Sequence, residues 1–340
     1  MSLNNGLTQI DIEATAADGL VVGIGSDFVL VCRATDEISK FGTHTDSAHR
    51  LDKQGRELTM VAPSNILVTG GTGKTGRAVV AGLTKRGIAC RIAARTPSEK
   101  AVRFDWMDSD THADALAGID AVYLVAPVGI LDPVPAMSQF ISQAIAAGVR
   151  RFVLLSSSAI PMDGPATGQI HRILAETAPE WAVLQPSWFM QNFTEGHHGE
   201  TIRKEGKIFS ATGEAPVAFI DADDIGEVGA ACLASETALN DGVVLTGPSS
   251  LNYDEIAKLI SAVAGRDIAH IKLEPSELAK RFTAFGLDED YSEFLSKLDA
   301  LLASGCEART TNAVHELTGR KPKSFADFAA SHAHAWRDNR

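Results

Sequence analysis

The residues best suited to chemistry are the small and polar ones at positions 69–76, which read TGGTGKTG. Two phosphate-binding arrangements share this composition. A nucleoside-triphosphate loop needs a glycine, four further residues and then Gly-Lys-Ser/Thr. Counting back five positions from Gly73 reaches Val68, so the leading glycine of such a loop is missing. The triphosphate arrangement is therefore excluded.

The second arrangement is the three-apart spacing of Gly70, Gly73 and Gly76, which is typical of a dinucleotide-binding turn. The turn follows a short apolar run, NILVT, and precedes a predicted helix, which is the context that this fingerprint requires. Glycines there permit a tight turn and close approach of a pyrophosphate. The helix N-terminus offers free N–H groups to the phosphate charge. The stretch predicts a bound dinucleotide.

The choice between NAD and NADP depends on the end of the next strand. A carboxylate there binds the ribose of NAD, whereas an arginine accommodates the 2′-phosphate of NADP. The predicted strand IACRIAA is followed by Arg95, with no acid at that position. Lys74 adds a second cation within the glycine turn. The sequence therefore favours NADP(H) over NAD(H).

The acid/base pair common in nicotinamide-dependent dehydrogenases is Tyr-x-x-x-Lys, in which the lysine lowers the pKa of the tyrosine. Tyr123, Tyr253 and Tyr291 are the three tyrosines of the chain, and none has a lysine four residues later. Three serines at 156–158 follow the fifth predicted strand. Without a tyrosine partner they are expected to contact a cofactor or cap the following turn. No catalytic residue is assigned.

Strands and helices alternate from residue 64 onward. The apolar runs NILVT, IACRIAA, AVRF, AVYLVAP, RRFVLLSSS and WAVLQP predict buried strands, and PAMSQFISQAIAAGV predicts an amphipathic helix. This alternation implies right-handed crossovers and an α/β fold with a doubly wound parallel sheet of the Rossmann type. In the later part of the chain, the alternation of strands and helices is less regular. We assign the predicted helices there, DIGEVGAACLAS and YDEIAKLISAVAG, to a smaller C-terminal substrate lobe.

The N-terminal part of the chain differs from the rest. Its pieces LVVGI, FVLVCRA and ELTMVAP predict strands separated by a polar stretch. We therefore predict a β-rich extension at residues 1–63, a Rossmann NADP-binding core at 64–186 and a mixed α/β substrate lobe at 187–340. About 60 residues is small for an independent core. The extension is expected to pack on the main domain or to mediate a homodimer or a protein partner.

Charge and composition narrow the class of protein. The net charge of −12 and the pI near 5.3 argue against nucleic acid or an anionic membrane as the main partner. The cysteines lack CxxC pairing and the histidines lack metal-ligand spacing, so we expect reduced thiols and no metal site. No signal peptide and no apolar run of roughly 18 residues is recognised. We expect a cytoplasmic protein with a small-molecule substrate.

Several motifs in order resemble one family. They are ILVTGGTGKTG, FDWMD, AVYLVAP, RRFVLLSSSAIP, VLQPSWFMQNF, FIDADDIG and SFADFAASHAHAW. Over about residues 64–337 the chain resembles the NmrA-like branch of atypical short-chain dehydrogenases/reductases. Its nearest groups there are azo- or quinone-reductase-like proteins that use NADPH, and alkaloid reductases of the festuclavine dehydrogenase type.

The resemblance implies a role for each part of the site. The pyrophosphate would be lined by Gly70, Thr72, Gly73, Lys74, Thr75 and Gly76. Arg95 would meet the 2′-phosphate, and the adenine would lie near Asp105 and Trp106. The ribose and nicotinamide would be bordered by Ala126, Pro127, Ser156, Ser157 and Pro186. The substrate would be faced by Trp188, Phe189, Met190 and Asn192.

Some residues in the motifs that carry the resemblance also have a structural interpretation. Aromatic and methionine side chains after a strand are also typical of a core. Asp221 and Asp224 resemble catalytic acids, but Asp224 precedes an apolar helix, and we predict that it caps that helix.

The function implied is an NAD(P)H-dependent oxidoreductase. Its substrate would be planar or aromatic and electron-poor, such as a quinone, imine, azo compound or polyketide-like ring. Such acceptors can take a hydride while solvent supplies the proton, so no Tyr-Lys pair is needed. The alternatives are a non-catalytic NADP(H)-binding redox sensor, or an epimerase or isomerase that uses bound cofactor, because family membership alone does not fix function.

Overall fold

The computed structural model describes residues 62–99, 101–127, 130 and 132–337, together with three strands nearer the N-terminus. These strands are β1 (Ile12–Glu13), β2 (Leu20–Ile24) and β3 (Phe28–Cys32). They form an antiparallel sheet in the order β1-β2-β3. The strands predicted for LVVGI and FVLVCRA are confirmed. The predicted strand ELTMVAP lies mostly outside the described residues, and the role of the extension stays a prediction.

Seven parallel strands form the main sheet. They are β4 (Ile66–Val68), β5 (Cys90–Ala94), β6 (Ala101–Arg103), β7 (Ala121–Val125), β8 (Arg151–Leu155), β9 (Glu180–Pro186) and β11 (Asp241–Leu245). Their order across the sheet is β11-β9-β8-β7-β4-β5-β6. The strand order therefore reverses between β4 and β7, where ligands bind in open α/β sheets. The predicted doubly wound Rossmann sheet is confirmed.

The described helices flank this sheet and fill the C-terminal part of the chain. They are α1 (Lys74–Lys85), α2 (His112–Leu116), α3 (Val134–Ala146), α4 (Thr167–Thr177), α5 (Gly196–Glu205), α6 (Ala222–Ala234), α7 (Tyr253–Ala264), α8 (Pro275–Ala284), α9 (Glu289–Leu302), α10 (Ala313–Thr318) and α11 (Phe325–Ser331). Within the described residues, no helix combines the length and the apolar character that a bilayer span requires. The cytoplasmic location stays a prediction.

Each face of the main sheet carries its own core. On one face, Val68 and Tyr123 pack with Val79 of α1 and Val228 of α6. On the other face, Leu67 and Val122 belong to a cluster that also contains Met137, Phe140 and Leu174 from α3 and α4. Because both faces are covered, the strands are continuous apolar runs rather than alternating ones. That is why the sequence could identify them.

Helices α1 and α6 approach each other closely because small residues meet at their crossing. A methyl group added to Gly226 would lie 2.2 Å from the Cβ of Ala78, so only glycine fits there. This contact packs α1 tightly against α6, and the glycine turn directly precedes α1.

The C-terminal lobe has a separate aromatic core and a small sheet of its own. Strands β10 (Lys207–Ser210) and β12 (Ala269–Lys272) pair in parallel. Phe193, Phe219 and Phe325 pack together in the lobe core. The indole N–H of Trp336 donates to the backbone carbonyl of Phe193 at 2.6 Å. The C-terminal part of the chain thus has a core of its own, whereas the lobe bounds of 187–340 and the substrate role stay predictions. Strand β11 returns from this part of the chain to the main sheet, which the sequence pattern did not predict.

Candidate functional site

The predicted cofactor residues follow the carboxyl ends of six neighbouring parallel strands. The glycine turn follows β4, Arg95 follows β5, and Asp105 lies two residues beyond β6. Further residues at strand ends are Ala126 and Pro127 after β7, Ser156 and Ser157 after β8, and Pro186 as the last residue of β9. Because carboxyl ends of parallel strands share one edge, the fold gathers all of these residues along that edge.

The glycine turn has the geometry that its spacing predicts. Gly70 has a φ of +60°, a left-handed conformation that favours glycine. The N–H of Gly73 donates to the carbonyl of Gly70 at 2.8 Å. A methyl group added to Gly76 would lie 2.1 Å from the same carbonyl oxygen. The turn therefore requires glycine at positions 70 and 76.

The start of helix α1 presents an unshielded positive end. Gly73 is its N-cap residue, so no side chain caps the helix, and its first turn contains no acidic residue. The first backbone N–H groups of a helix have no intrahelical acceptor, and the helix dipole favours an anion there. Together with the glycine cradle, this end fits the pyrophosphate of a dinucleotide.

Thr69 joins the ends of β4 and β7 at the point where the strand order reverses. Its hydroxyl donates to the carbonyl of Tyr123 at 2.9 Å and accepts from the N–H of Val125 at 2.8 Å. The side chain is fully buried. Thr69 thus fixes the base of the turn, a role that the glycine spacing alone did not reveal.

The two cations predicted to meet phosphate differ in their surroundings. Arg95 is exposed, and within the described part of the chain it has no hydrogen bond or ion pair. The ammonium group of Lys74 lies 3.3 Å from the carboxylate of Glu195, in the segment that leads into α5. Arg95 is therefore available to a ligand, whereas Lys74 is shared with a protein carboxylate.

Asp105 and Trp106 form a compact loop after β6. The Asp105 carboxylate accepts from the N–H of Met107 at 3.0 Å. Trp106 packs edge-on against Phe104 and Phe140, with ring centroids 5.0 and 5.2 Å apart. Their place beside adenine stays a prediction.

The serines after β8 prolong its pairing with β9. The N–H of Ser156 donates to Leu184 at 2.8 Å, and the N–H of Ser158 donates to Pro186 at 3.0 Å. The hydroxyl of Ser156 lies 2.9 Å from that of Thr167, at the start of α4. These bonds fix the serine backbone beside the end of β9.

The four residues predicted to face substrate fall into two groups. Trp188, Phe189 and Asn192 are half-buried. Met190 is 1% exposed and lies within the aromatic core of the C-terminal lobe. Met190 therefore contributes to packing, and the other three remain candidates for a pocket.

The helix cap predicted at Asp224 is wrong. Helix α6 begins at Ala222, and its N-cap is Asp221, which accepts from the N–H of Asp223 at 2.9 Å. Asp224 lies inside the first turn, where it accepts from the N–H of Lys323 at 2.7 Å. With three acids among four residues, the sequence did not specify which one precedes the helix.

Glu307 is a functional candidate that the sequence did not reveal. It is 3% exposed, and its carboxylate accepts from the hydroxyl of Ser158 at 2.7 Å. Burial raises the pKa of the Glu307 carboxyl above its ordinary value. The two residues are 149 positions apart, and no local pattern relates them.

A second polar group in the lobe has the connectivity of a hydrolytic triad. His270 Nε2 lies 2.7 Å from the hydroxyl of Ser210, and its Nδ1 lies 3.0 Å from the carboxylate of Asp254. However, Ser210 is 0% exposed, so no substrate can reach its hydroxyl. We interpret this group as a structural link between β10, β12 and α7.

Comparison with known proteins agrees with the fold and the turn. A family model described as NAD(P)H-binding matches residues 70–236. An uncharacterized oxidoreductase, YesF of Bacillus subtilis, is 41% identical over 82% of this chain and 98% of its own length. Festuclavine dehydrogenase of Aspergillus fumigatus is 36% identical over 80% of this chain and 98% of its own. The chain belongs to this NAD(P)H-binding family of oxidoreductases.

A solved structure shares the fold. The NADPH-dependent quinone oxidoreductase QOR2 of Escherichia coli, complexed with NADPH, superposes with a TM-score of 0.70 at 20% identity. The match covers 79% of this chain and 99% of that one. The family predicted from the ordered motifs is confirmed, and the protein is an NAD(P)H-dependent reductase. The sensor and epimerase alternatives are not favoured by these relatives.

Proposed function

We propose that this protein is an NADPH-dependent reductase of planar, electron-poor acceptors such as quinones, azo compounds and cyclic imines. The observation that carries the preference for NADPH is the guanidinium of Arg95. It lies exposed after β5, where a ribose phosphate is expected, and has no partner within the described residues. Arginine binds phosphate through two parallel hydrogen bonds, which suits a 2′-phosphate.

The residues along the sheet edge would bind and orient the dinucleotide. The glycine turn and the N-terminus of α1 would hold the pyrophosphate, as their geometry allows. Ala126, Pro127 and Pro186 would border the nicotinamide, and Ser156 and Ser157 would lie beside it. When bound, the reduced nicotinamide supplies a hydride, so the protein has to provide orientation and an apolar surface.

Aromatic side chains after β9 favour a flat substrate. Trp188 and Phe189 are half-buried, so each residue keeps part of its surface accessible. Flat conjugated rings stack on such surfaces.

The experiment that tests the cofactor preference compares Arg95→Ala with Arg150→Ala. Arg150 lies at the opposite edge of the sheet, before β8, and its side chain is 60% exposed. Losing a charge-assisted hydrogen bond of about 1.5–3 kcal/mol would lower kcat/KM for NADPH roughly 10- to 100-fold. The value for NADH should stay unchanged. An Arg95→Ala variant that keeps the NADPH preference of the native protein would contradict the proposal.

The acceptor class is tested by a panel followed at the nicotinamide absorbance. Quinones, azo dyes and cyclic iminium salts are offered with NADPH, and simple aliphatic ketones serve as the comparison. We expect turnover with the conjugated acceptors and little with the ketones. Tight NADPH binding without turnover on any acceptor would overturn the proposed reductase function.

A further inference from the structure

A buried carboxyl group of the C-terminal lobe reaches the edge of the main sheet. Glu307 lies in the segment between α9 and α10, and its backbone carbonyl accepts from the N–H of Ala218 at 2.9 Å. Its side chain is the acceptor for the Ser158 hydroxyl at 2.7 Å. Ser158 is half-buried and follows the end of β8, so one hydrogen bond joins the buried carboxyl to this end of the sheet.

The surroundings of Glu307 disfavour its charged form. Burial is the main cause of its raised pKa, and the Ser158 hydrogen bond and the nearby Arg309 offset it only in part. The elements packed beside it contribute Ser158 from the end of β8 and the backbone of Ala218. Arg309, two residues further along the same segment, is the charged group that acts on Glu307. The carboxyl therefore keeps its proton to a higher pH than an exposed glutamate.

The pair lies next to the aromatic residues expected to bind substrate. Trp188 packs on a small apolar cluster formed by Ala159 and Leu301, and Cys306, directly before Glu307, packs on the same cluster. Ser158 is hydrogen-bonded to Pro186, at the end of β9. Ser158 and the proposed pocket thus lie at the same end of the sheet.

We propose that Ser158 and Glu307 form a proton relay that completes reduction of acceptors needing a proton as well as a hydride. This inference rests on the proposed reductase function. A bound reduced nicotinamide would supply the hydride, and the Ser158 O–H bond would break as a new bond to hydrogen forms on the acceptor heteroatom. When Glu307 is protonated, its O–H donates to Ser158 Oγ over the same 2.7 Å, which leaves the Ser158 O–H free to face the acceptor. The Ser158 oxygen then takes the Glu307 carboxyl proton, leaving a carboxylate. After product release, water returns a proton to Glu307 through Ser158.

Ser158 is the group that touches substrate, and Glu307 acts through it as a positioning residue and proton reservoir. Acceptors that differ in their need for a proton can therefore separate this role from a structural one. A quinone or azo compound needs one hydride and one proton, whereas a preformed iminium cation becomes a neutral amine on taking the hydride alone.

The experiment measures kcat for a quinone and for an iminium salt in Ser158→Ala and Glu307→Gln. We expect the quinone rate to fall about 100-fold, as for loss of a general acid, while the iminium rate changes less than about twofold. With the native protein, the quinone rate should fall as the pH rises and Glu307 ionises. In Glu307→Gln that pH dependence should disappear.

Asp299→Asn is the matched control. Asp299 is also a buried carboxyl, with a pKa raised to about 7 by burial, but it accepts from the N–H of Ala211 and does not reach Ser158. Its replacement should leave the ratio of quinone to iminium rates unchanged. Infrared difference spectra without cofactor give an independent readout. The protonated carboxyl band lost in Glu307→Gln should persist to a higher pH than that of an ordinary glutamate.

Each outcome decides a different point. Equal loss with both acceptors, no loss with either, or a carboxyl that titrates like an exposed glutamate would overturn the relay while leaving the reductase function intact. Native protein that binds NADPH and reduces neither acceptor would overturn the reductase function, and the relay with it.

Discussion

Lys74 Nζ lies 3.3 Å from the carboxylate of Glu195, so the lysine of the glycine turn already has an anionic partner. Both side chains are partly exposed, at 34% and 48%. Such pairs contribute little to stability, because solvent screens them. A cofactor phosphate that binds at the N-terminus of α1 would compete with Glu195 for the same ammonium group.

Glu195→Gln should therefore strengthen NADPH binding, because Lys74 is released to the phosphates. The expected change is a two- to fivefold lower Kd, the range of a surface ion pair, and Lys74→Ala should raise Kd. Titration of NADPH fluorescence at low and high salt measures both effects. Glu200→Gln is the control, since Glu200 pairs with Lys204 within α5. Weaker binding by Glu195→Gln would show that Glu195 supports the site instead.

The glycine turn should tolerate a methyl group unequally at its positions. At Gly76 the added carbon would lie 2.1 Å from the Gly70 carbonyl oxygen, against 3.2 Å at Gly73. Gly76→Ala should destabilise the protein by about 1–3 kcal/mol, as overpacking does, and should abolish NADPH binding. Gly73→Ala should have a smaller effect on both. Urea unfolding and NADPH titration measure them, and equal losses in the two variants would contradict the geometry.

A buried ion pair anchors α6 to the main sheet. The guanidinium of Arg151 is 2% exposed and donates to Glu180 at 2.8 Å. It also donates to the carbonyls of Cys232 and Leu233 at the end of α6, each at 3.2 Å. Since α6 packs on α1, this pair indirectly supports the glycine turn.

Glu180→Ala should cost roughly 3–5 kcal/mol of unfolding free energy, because it leaves a buried guanidinium without its counter-charge. Arg150→Ala is the control, since Arg150 lies 3.8 Å from the other oxygen of Glu180 and its side chain is 60% exposed. It should cost less than about 1 kcal/mol. Urea midpoints of the two variants compare these values. A small loss of unfolding free energy in Glu180→Ala would mean that the α6 carbonyls alone stabilise the buried guanidinium of Arg151.

Much of this fold could be predicted from the sequence because the patterns that specify it are formed by residues close together in the chain. The main-sheet strands through β9 were recognisable as short apolar runs, and the glycine turn was recognisable from the spacing of its three glycines. The Ser158–Glu307 and Lys74–Glu195 contacts join segments far apart in the chain, so no spacing could reveal them. Strand β11 was missed because its residues, DGVVL, begin with an acid and a glycine and so give a weaker apolar signal.

Pocket and core residues were harder to separate for a related reason. Trp188, Phe189 and Met190 are neighbours of similar apolar character, yet only Met190 is fully buried. The change in burial coincides with the start of the short 3₁₀-helix at Met190–Phe193, where the backbone passes from the extended N-cap Phe189 into the helix and changes direction. Residue type alone does not encode that direction.

His198 in α5 should make the protein less stable in mild acid. Its Nδ1 is inaccessible to solvent and has no hydrogen-bond partner in the described part of the chain, and its ring stacks on Phe193. Burial, and then the neighbouring His197 and His270, lower its pKa from 6.5 to about 3. The unfolded chain therefore takes up a proton below pH 6.5, whereas the folded protein does not until far lower pH.

The sign of the effect follows from this lowered pKa. Stability is fully present above about pH 6.5 and falls with decreasing pH, by up to about 1.4 kcal/mol per unit for this one group. His198→Leu should flatten the pH dependence of the urea midpoint between pH 7 and pH 5. His315→Leu, at an exposed position of α10, is the control and should leave the slope as it is. An unchanged slope in His198→Leu would mean that His198 can accept a proton within the folded protein.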